Sequence, residues 1–100
     1  MNVRFRPEAA EELREARDWY AAREEHLGDQ FLVLVDAAVR RVATRPKAFP
    51  VVPLVPSVRR AQLHRFPFTI VFRILGEEDI EVLAVAHMRR RPGYWRARTR

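Results

Sequence analysis

Hydrophobic and polar positions change period several times along this chain. From Asn2 to Arg6 they alternate, with Val3 and Phe5 on one side and Arg4 and Arg6 on the other, which predicts a short strand. From Pro7 the period lengthens. Ala9, Leu13, Ala16 and Tyr20 fall at i, i+4, i+7 and i+11, a one-sided helical stripe. Pro7 suits the first helical position, and Glu8, Glu11 and Glu12 favour the positive end of the helix dipole. Leu27-Gly28-Asp29 is expected to end this helix and cap the next. A second helix is expected over roughly Gln30 to Thr44, with Phe31, Leu34, Val35, Ala38 and Val42 as its core stripe. Leu32, Val33 and Val39 extend its apolar surface beyond one face, so the helix either is buried on two sides or awaits a partner.

Pro46, Pro50, Pro53 and Pro56 punctuate the stretch from Arg45 to Ser57, which predicts a stiff, extended crossover without helix or central strand. Period two then returns. Strands are expected over Val58 to Arg65, Phe68 to Leu75 and Ile80 to His87, and Gly76-Glu77-Glu78-Asp79 reads as a hairpin loop. Phe68, Ile70, Phe72 and Ile74 group on one face and Thr69, Val71 and Arg73 on the other. Val82, Ala84 and Ala86 are expected to join the helix-facing core. Glu81, Leu83, Val85 and His87 would then share an open face with Arg73, and with Arg60, Gln62 and His64 if Ala61 and Leu63 point to the core. The expected architecture is α+β, of order β-α-α-β-β-β. An antiparallel helical hairpin packs on a small, mainly antiparallel sheet, followed by a short basic C-terminal tail or helix. One domain spans residues 1–100.

Charge changes this picture in one half only. Residues 1–57 carry nine Lys/Arg and nine Asp/Glu, whereas residues 58–100 carry ten Arg and four acidic residues, which accounts for the net +6. Arginine suits bidentate contact with phosphate or carboxylate, so an anionic partner is expected: nucleic acid or an acidic protein segment. The chain has no cysteine, which excludes disulfides and thiolate-held metals. No apolar run approaches the ~20 residues of a membrane helix, and the first ten residues lack a signal-peptide core. A cytoplasmic location is the default expectation, with no membrane partner.

Candidate chemistry gathers after the sheet. Histidine moves a proton near neutral pH, arginine neutralises phosphate and aromatics stack on bases, a set sufficient for RNA cleavage without a metal. His87, Arg89 and Tyr94 are the candidate catalytic groups of such an enzyme. Arg59, Arg60, Arg65, Arg73, Arg90, Arg91 and Trp95 are the candidate contacts to nucleic acid or another target. No metal-ligand spacing is present and no cofactor is implied. The bland readings are a structural histidine at a strand end, aromatics that pack the tail, and a solvated arginine run.

Pro7-Glu8-Ala9, Glu12-Leu13, Trp19-Tyr20, Leu27-Gly28 with Phe31, Pro46 to Pro50, Arg59-Arg60, Phe66 to Phe72 and Val82 to Trp95 follow one another at a familiar spacing. Their order resembles the RelE/ParE superfamily of toxins from type II toxin–antitoxin systems, over nearly the whole chain. The Trp-Tyr and Leu-Ala-Val-x-His stretches are more similar to the ParE-like branch. The resemblance implies growth inhibition, plasmid stabilization and neutralisation by a cognate antitoxin in a hetero-oligomer. It also implies an antitoxin-binding surface on the apolar helices and basic sheet, here Phe31, Leu32, Val35, Val39, Arg73 and Arg89. ParE-like members poison DNA gyrase, whereas RelE-like members are ribosome-dependent mRNA endoribonucleases. A strand arginine of the RelE-like type falls here on Thr69, a departure; Arg89 meets the post-strand basic position and Tyr94 or Trp95 the aromatic. The readings are therefore a ParE-like toxin with gyrase as target, a metal-independent endoribonuclease acting on mRNA at the ribosome, or a non-toxic antitoxin-binding co-regulator.

Overall fold

Four alternating stretches and one two-residue edge strand make a single sheet in the computed structural model, which describes residues 1–100. The strands are β1 (Asn2–Phe5), β2 (Val51–Val52), β3 (Val55–Gln62), β4 (Phe68–Leu75) and β5 (Asp79–His87), in the order β1-β5-β4-β3-β2. β1 pairs parallel with β5 and every other pair is antiparallel. The helices α1 (Pro7–Arg23) and α2 (Glu25–Thr44) form the expected hairpin. Ala9, Ala16, Phe31, Val35, Ala38 and Val42 from the helices close on Ala61, Ile70, Phe72, Ile80 and Val82 from the sheet. An aromatic group ties the connected end of the hairpin to the sheet: Tyr20, Phe31, Phe66 and Phe68 lie with ring centroids 4.7–6.3 Å apart. No helix is long and apolar enough to cross a membrane.

Three local expectations change. The helix break comes earlier, at Glu24, whose extended backbone (φ −148°, ψ 125°) leaves a one-residue connection. Gly28 lies inside α2 and is buried, because the two helices touch there. A Cβ on Gly28 would meet the Ala21 Cβ at 2.9 Å and the Arg17 carbonyl at 3.1 Å. The glycine therefore serves helix contact rather than termination. The proline-rich crossover is also more ordered than expected. Pro46–Ala48 form a 3₁₀ turn and β2 follows. β3 starts at Val55 and runs through Pro56, which falls between its pairing with Val52 and its first pairing with β4 at Val58. A missing N–H costs little there. β3 ends at Gln62 because the chain turns at Arg65, whose φ is +69°.

The third change matters most. The β4–β5 ladder pairs Val71 with Ala84 but Phe72 with Val82, so Leu83 is an extra residue, a β-bulge. Below the bulge the expected faces hold, with Ile80 and Val82 toward the helices. Above it they reverse. Val85 joins the helix-side core, while Leu83, Ala84 and Ala86 face the other side. That other side is not open. Gly93 takes φ +77° and the tail folds back through a 3₁₀ turn at Arg96–Thr99. This lays Trp95, 5% exposed, over Val58, Val71, Leu83, Ala84 and Ala86. The bulge puts two consecutive apolar residues on this face, and the tail removes them from water.

Replacing Gly28 by Val is expected to destabilise the protein by about 1–3 kcal/mol through overpacking at the helix contact. Urea unfolding checks this, and an unchanged midpoint would show that the hairpin has slack at Gly28.

Candidate functional site

β1 ends at Phe5, opposite Val82, so β5 continues upward with no neighbour on that edge. The backbone groups left over are met by side chains. Glu12, one and a half turns into α1, aims its carboxylate at the bulge. Its Oε1 accepts the N–H of Val85 at 3.0 Å. Arg98, from the tail, donates to Glu12 Oε1 at 2.9 Å, to Oε2 at 3.2 Å and to the Leu83 carbonyl at 2.9 Å. The Tyr94 hydroxyl donates to Glu12 Oε2 at 2.7 Å. Arg90 stacks on the Tyr94 ring with its guanidinium carbon 3.8 Å from the centroid, and reaches Glu12 Oε2 at 3.7 Å. The Glu12 and Arg98 side chains are only 13% and 16% exposed. Burial, and after it the hydrogen bond to Glu12, push the Tyr94 phenol above its ordinary value. Tyr94 is therefore held as a neutral donor.

Beside this network a groove of about 830 Å³ opens between α1 and the end of β5. Ala16, Tyr20, Phe68 and Val85 give it apolar walls; His87, Met88, Arg89 and Arg90 form its far side. Trp19 and Met88 remain 52% and 59% exposed at its margins. The guanidinium of Arg23 lies 3.2 Å from the Trp19 ring centroid.

The bulge separates residues that the sequence grouped together. His87 pairs with Phe68 and stacks edge-on against it, centroids 4.9 Å apart, on the helix side of the sheet. Its Nδ1 accepts the Arg89 N–H at 3.0 Å, so in the neutral ring the proton sits on Nε2 and neither nitrogen offers a free lone pair. Arg73 lies on the opposite, tail-covered face. There it holds Glu81 at 2.8 Å and the Thr99 carbonyl at 2.9 Å. The expected sharing of one face by Arg73, Glu81 and His87 is thus corrected: Arg73 and Glu81 share it and His87 does not. Of the catalytic candidates, His87 and Arg89 line the groove, while Tyr94 is engaged by Glu12.

The remaining candidates also divide. Arg59 donates to the Phe49 carbonyl at 2.7 Å and the Lys47 carbonyl at 3.3 Å, pinning the crossover. Trp95 is core. Arg60, Arg65, Arg89, Arg90 and Arg91 are exposed. Phe31 and Val35 are buried in the main core, and Leu32 and Val39 keep part of their surface on α2. Glu12 and Arg98 were not singled out by sequence. Glu12 read as a dipole-favouring first-turn acid, and nothing local marks either residue as buried.

Two comparisons find relatives. Residues 3–92 match the family model described as ParE toxin of type II toxin–antitoxin system, parDE. A solved structure of the chromosomal ParDE TA system from P. aeruginosa superposes with a TM-score of 0.62 at 26% identity, covering 87% of this chain and 95% of that one. No curated protein sequence matches.

Two outcomes follow from the network. Glu12→Ala leaves Arg98 and the Val85 N–H without their acceptor and is expected to cost about 3 kcal/mol in urea unfolding. In a Trp19→Phe background, Trp95 emission should shift red as the tail loosens. The second outcome concerns pH. A phenol raised in the folded state contributes stability that is complete below its unfolded value near 10 and lost as pH rises through its folded value. Stability should therefore fall from about pH 10 upward. Tyr94→Phe should flatten that fall, leaving the part due to Tyr20, which burial also raises. An identical alkaline profile in Tyr94→Phe would show that Tyr94 ionises freely.

Proposed function

Because the chain belongs to the ParE toxin family of type II toxin–antitoxin systems, we propose that it arrests growth by binding a protein target, DNA gyrase, and that a cognate antitoxin neutralises it by direct binding. The observation that carries the choice of a binding mechanism over RNA cleavage is the division made by the bulge. A phosphate-cleaving centre needs base, acid and cation around one phosphate. Here His87 has its Nδ1 lone pair occupied, Tyr94 is a neutral donor already spent on Glu12, and Arg73 lies across the sheet. These positions support a docking surface rather than a catalytic centre. The ten arginines of the C-terminal half fit an anionic segment on the target or the antitoxin, and both are proposed to be met in the cytoplasm.

The exposed part of α2, with Leu32, Val33 and Val39, and the free arginines after β5 are the proposed meeting points for the antitoxin. Both surfaces remain accessible while the core and the tail stay packed.

Induction of the protein alone is expected to arrest growth while the 5′ ends of translated messages stay unchanged, and the purified protein should inhibit gyrase supercoiling. New cuts in messages within minutes of induction would overturn this in favour of an endoribonuclease. Normal growth on induction would favour a co-regulator that only binds the antitoxin.

A further inference from the structure

The four carboxylates of the C-terminal half, Glu77, Glu78, Asp79 and Glu81, all sit at one end of the sheet, in the β4–β5 hairpin and the first residues of β5. The other nine belong to the helical hairpin, on the far side of the sheet. Strand alternation puts Arg60 and Gln62 of β3 and Thr69 of β4 on the side away from the helices, because Ala61, Leu63, Phe68 and Ile70 face the main core. Gln62 pairs with Thr69 and Arg60 with Val71, so the three polar side chains adjoin across two strands. Trp95 covers Val58 and Val71 next to Arg60, and Arg96 follows it in the tail. Arg65 stands in the turn just beyond Gln62. Arg60, Arg65 and Arg96 are exposed and make no ion pair. The Gln62 amide reaches only the Met88 sulfur, at 3.8 Å. Glu81, the nearest carboxylate of β5 on this side, is 18% exposed and held by Arg73 at 2.8 Å.

We infer that this side of the sheet binds the phosphate backbone of duplex DNA, without regard to base sequence. Guanidinium, amide and hydroxyl donors with no free carboxylate among them are the groups that meet phosphate oxygens. The ligand is a duplex rather than a single strand, because no ring on this side is free to stack on a base. Trp95 is 5% exposed, and Tyr94 lies under Arg90 with its hydroxyl on Glu12. The ligand is nucleic acid rather than an acidic protein segment, because a protein interface centres on desolvated apolar side chains. The apolar cluster on this side is already sealed by Trp95, and what lies uncovered beside it is Arg60, Gln62 and Thr69. The carboxylates of the hairpin repel a phosphate backbone and so confine it to the Arg60 end. The inference goes beyond the toxin reading. It needs neither gyrase nor an antitoxin, and it uses neither α2 nor Arg89, Arg90 and Arg91.

The test follows the anisotropy of a fluorescent duplex as the full chain is added, at salt concentrations from about 50 to 200 mM. Three phosphate contacts predict that log affinity falls against log salt with a slope of about −3, the same for unrelated sequences. Arg60→Glu should weaken binding by about tenfold or more and make the slope shallower by about one. Arg96→Glu, on a separate element, should do the same. Arg41→Glu makes an equal change of charge on an exposed position of α2 and should cost less than about threefold. All three positions are exposed, and an unchanged urea midpoint shows that each variant is folded. Absence of binding at the lowest salt would overturn the inference, as would an equal loss in Arg41→Glu. So would equal or tighter binding of the single strand, or of a polyglutamate peptide in competition. The assay contains no gyrase and no antitoxin, so its failure leaves the toxin reading standing, and the reverse.

Discussion

One ion pair joins the three parts of this fold. Glu12 comes from the helical hairpin, Arg98 from the last turn of the tail, and both close on the backbone of β5 at its bulge. A pair at this depth loses hydration that its mutual attraction alone does not return. Here the balance is restored by additional donors and acceptors: the Val85 N–H, the Leu83 carbonyl and the Tyr94 hydroxyl. The pair does at the upper part of β5 what β1 does at the lower part, satisfying edge groups. Glu12 also takes the Tyr94 hydroxyl and Arg90, so it is the point on the helix layer to which the tail, and with it the cover of the second apolar face under Trp95, is anchored.

The bulge explains why the molecule has two unlike surfaces rather than one active face. Inserting Leu83 turns His87 toward α1 and leaves Arg73 beneath the tail. The charged side chains of the C-terminal half consequently divide by task. Arg59, Arg73 and Arg98 hold backbone carbonyls or carboxylates inside the protein. Arg60, Arg65, Arg89 and Arg91 make no ion pair and stay in solvent. Of this second set, Arg65, Arg89 and Arg91 lie beyond the ends of β3 and β5, and Arg60 lies within β3.

Much of this was legible in the chain. The 3.6-residue stripes marked the helix faces and period two the core face of β4, because those segments have clear polar and apolar positions; the parity of β3 stayed open in the pattern, and the structure turns Ala61 and Leu63 to the core. The stretch from Val82 to Ala86 does not. All five residues are apolar, so alternation carries no information there, and an extra residue leaves no trace in the pattern. Gly28 misled for a related reason. A glycine after a leucine and before an aspartate has the look of a helix end, and only the packing of Ala21 and Arg17 against it reveals a contact site. Glu12 and Arg98 are separated by 86 positions, and no local rule joins them.

The arrangement also limits where a partner can meet the protein. The Trp95 face is filled, and the main core admits nothing, so Phe31 and Val35 act on any partner only by shaping α2. What remains is a part-exposed helix surface and a set of free arginines. The arginines steer an acidic chain from a distance but specify little about its register. Arg89 and Arg91 follow the end of β5, the strand whose bulge the Glu12–Arg98 pair holds in place.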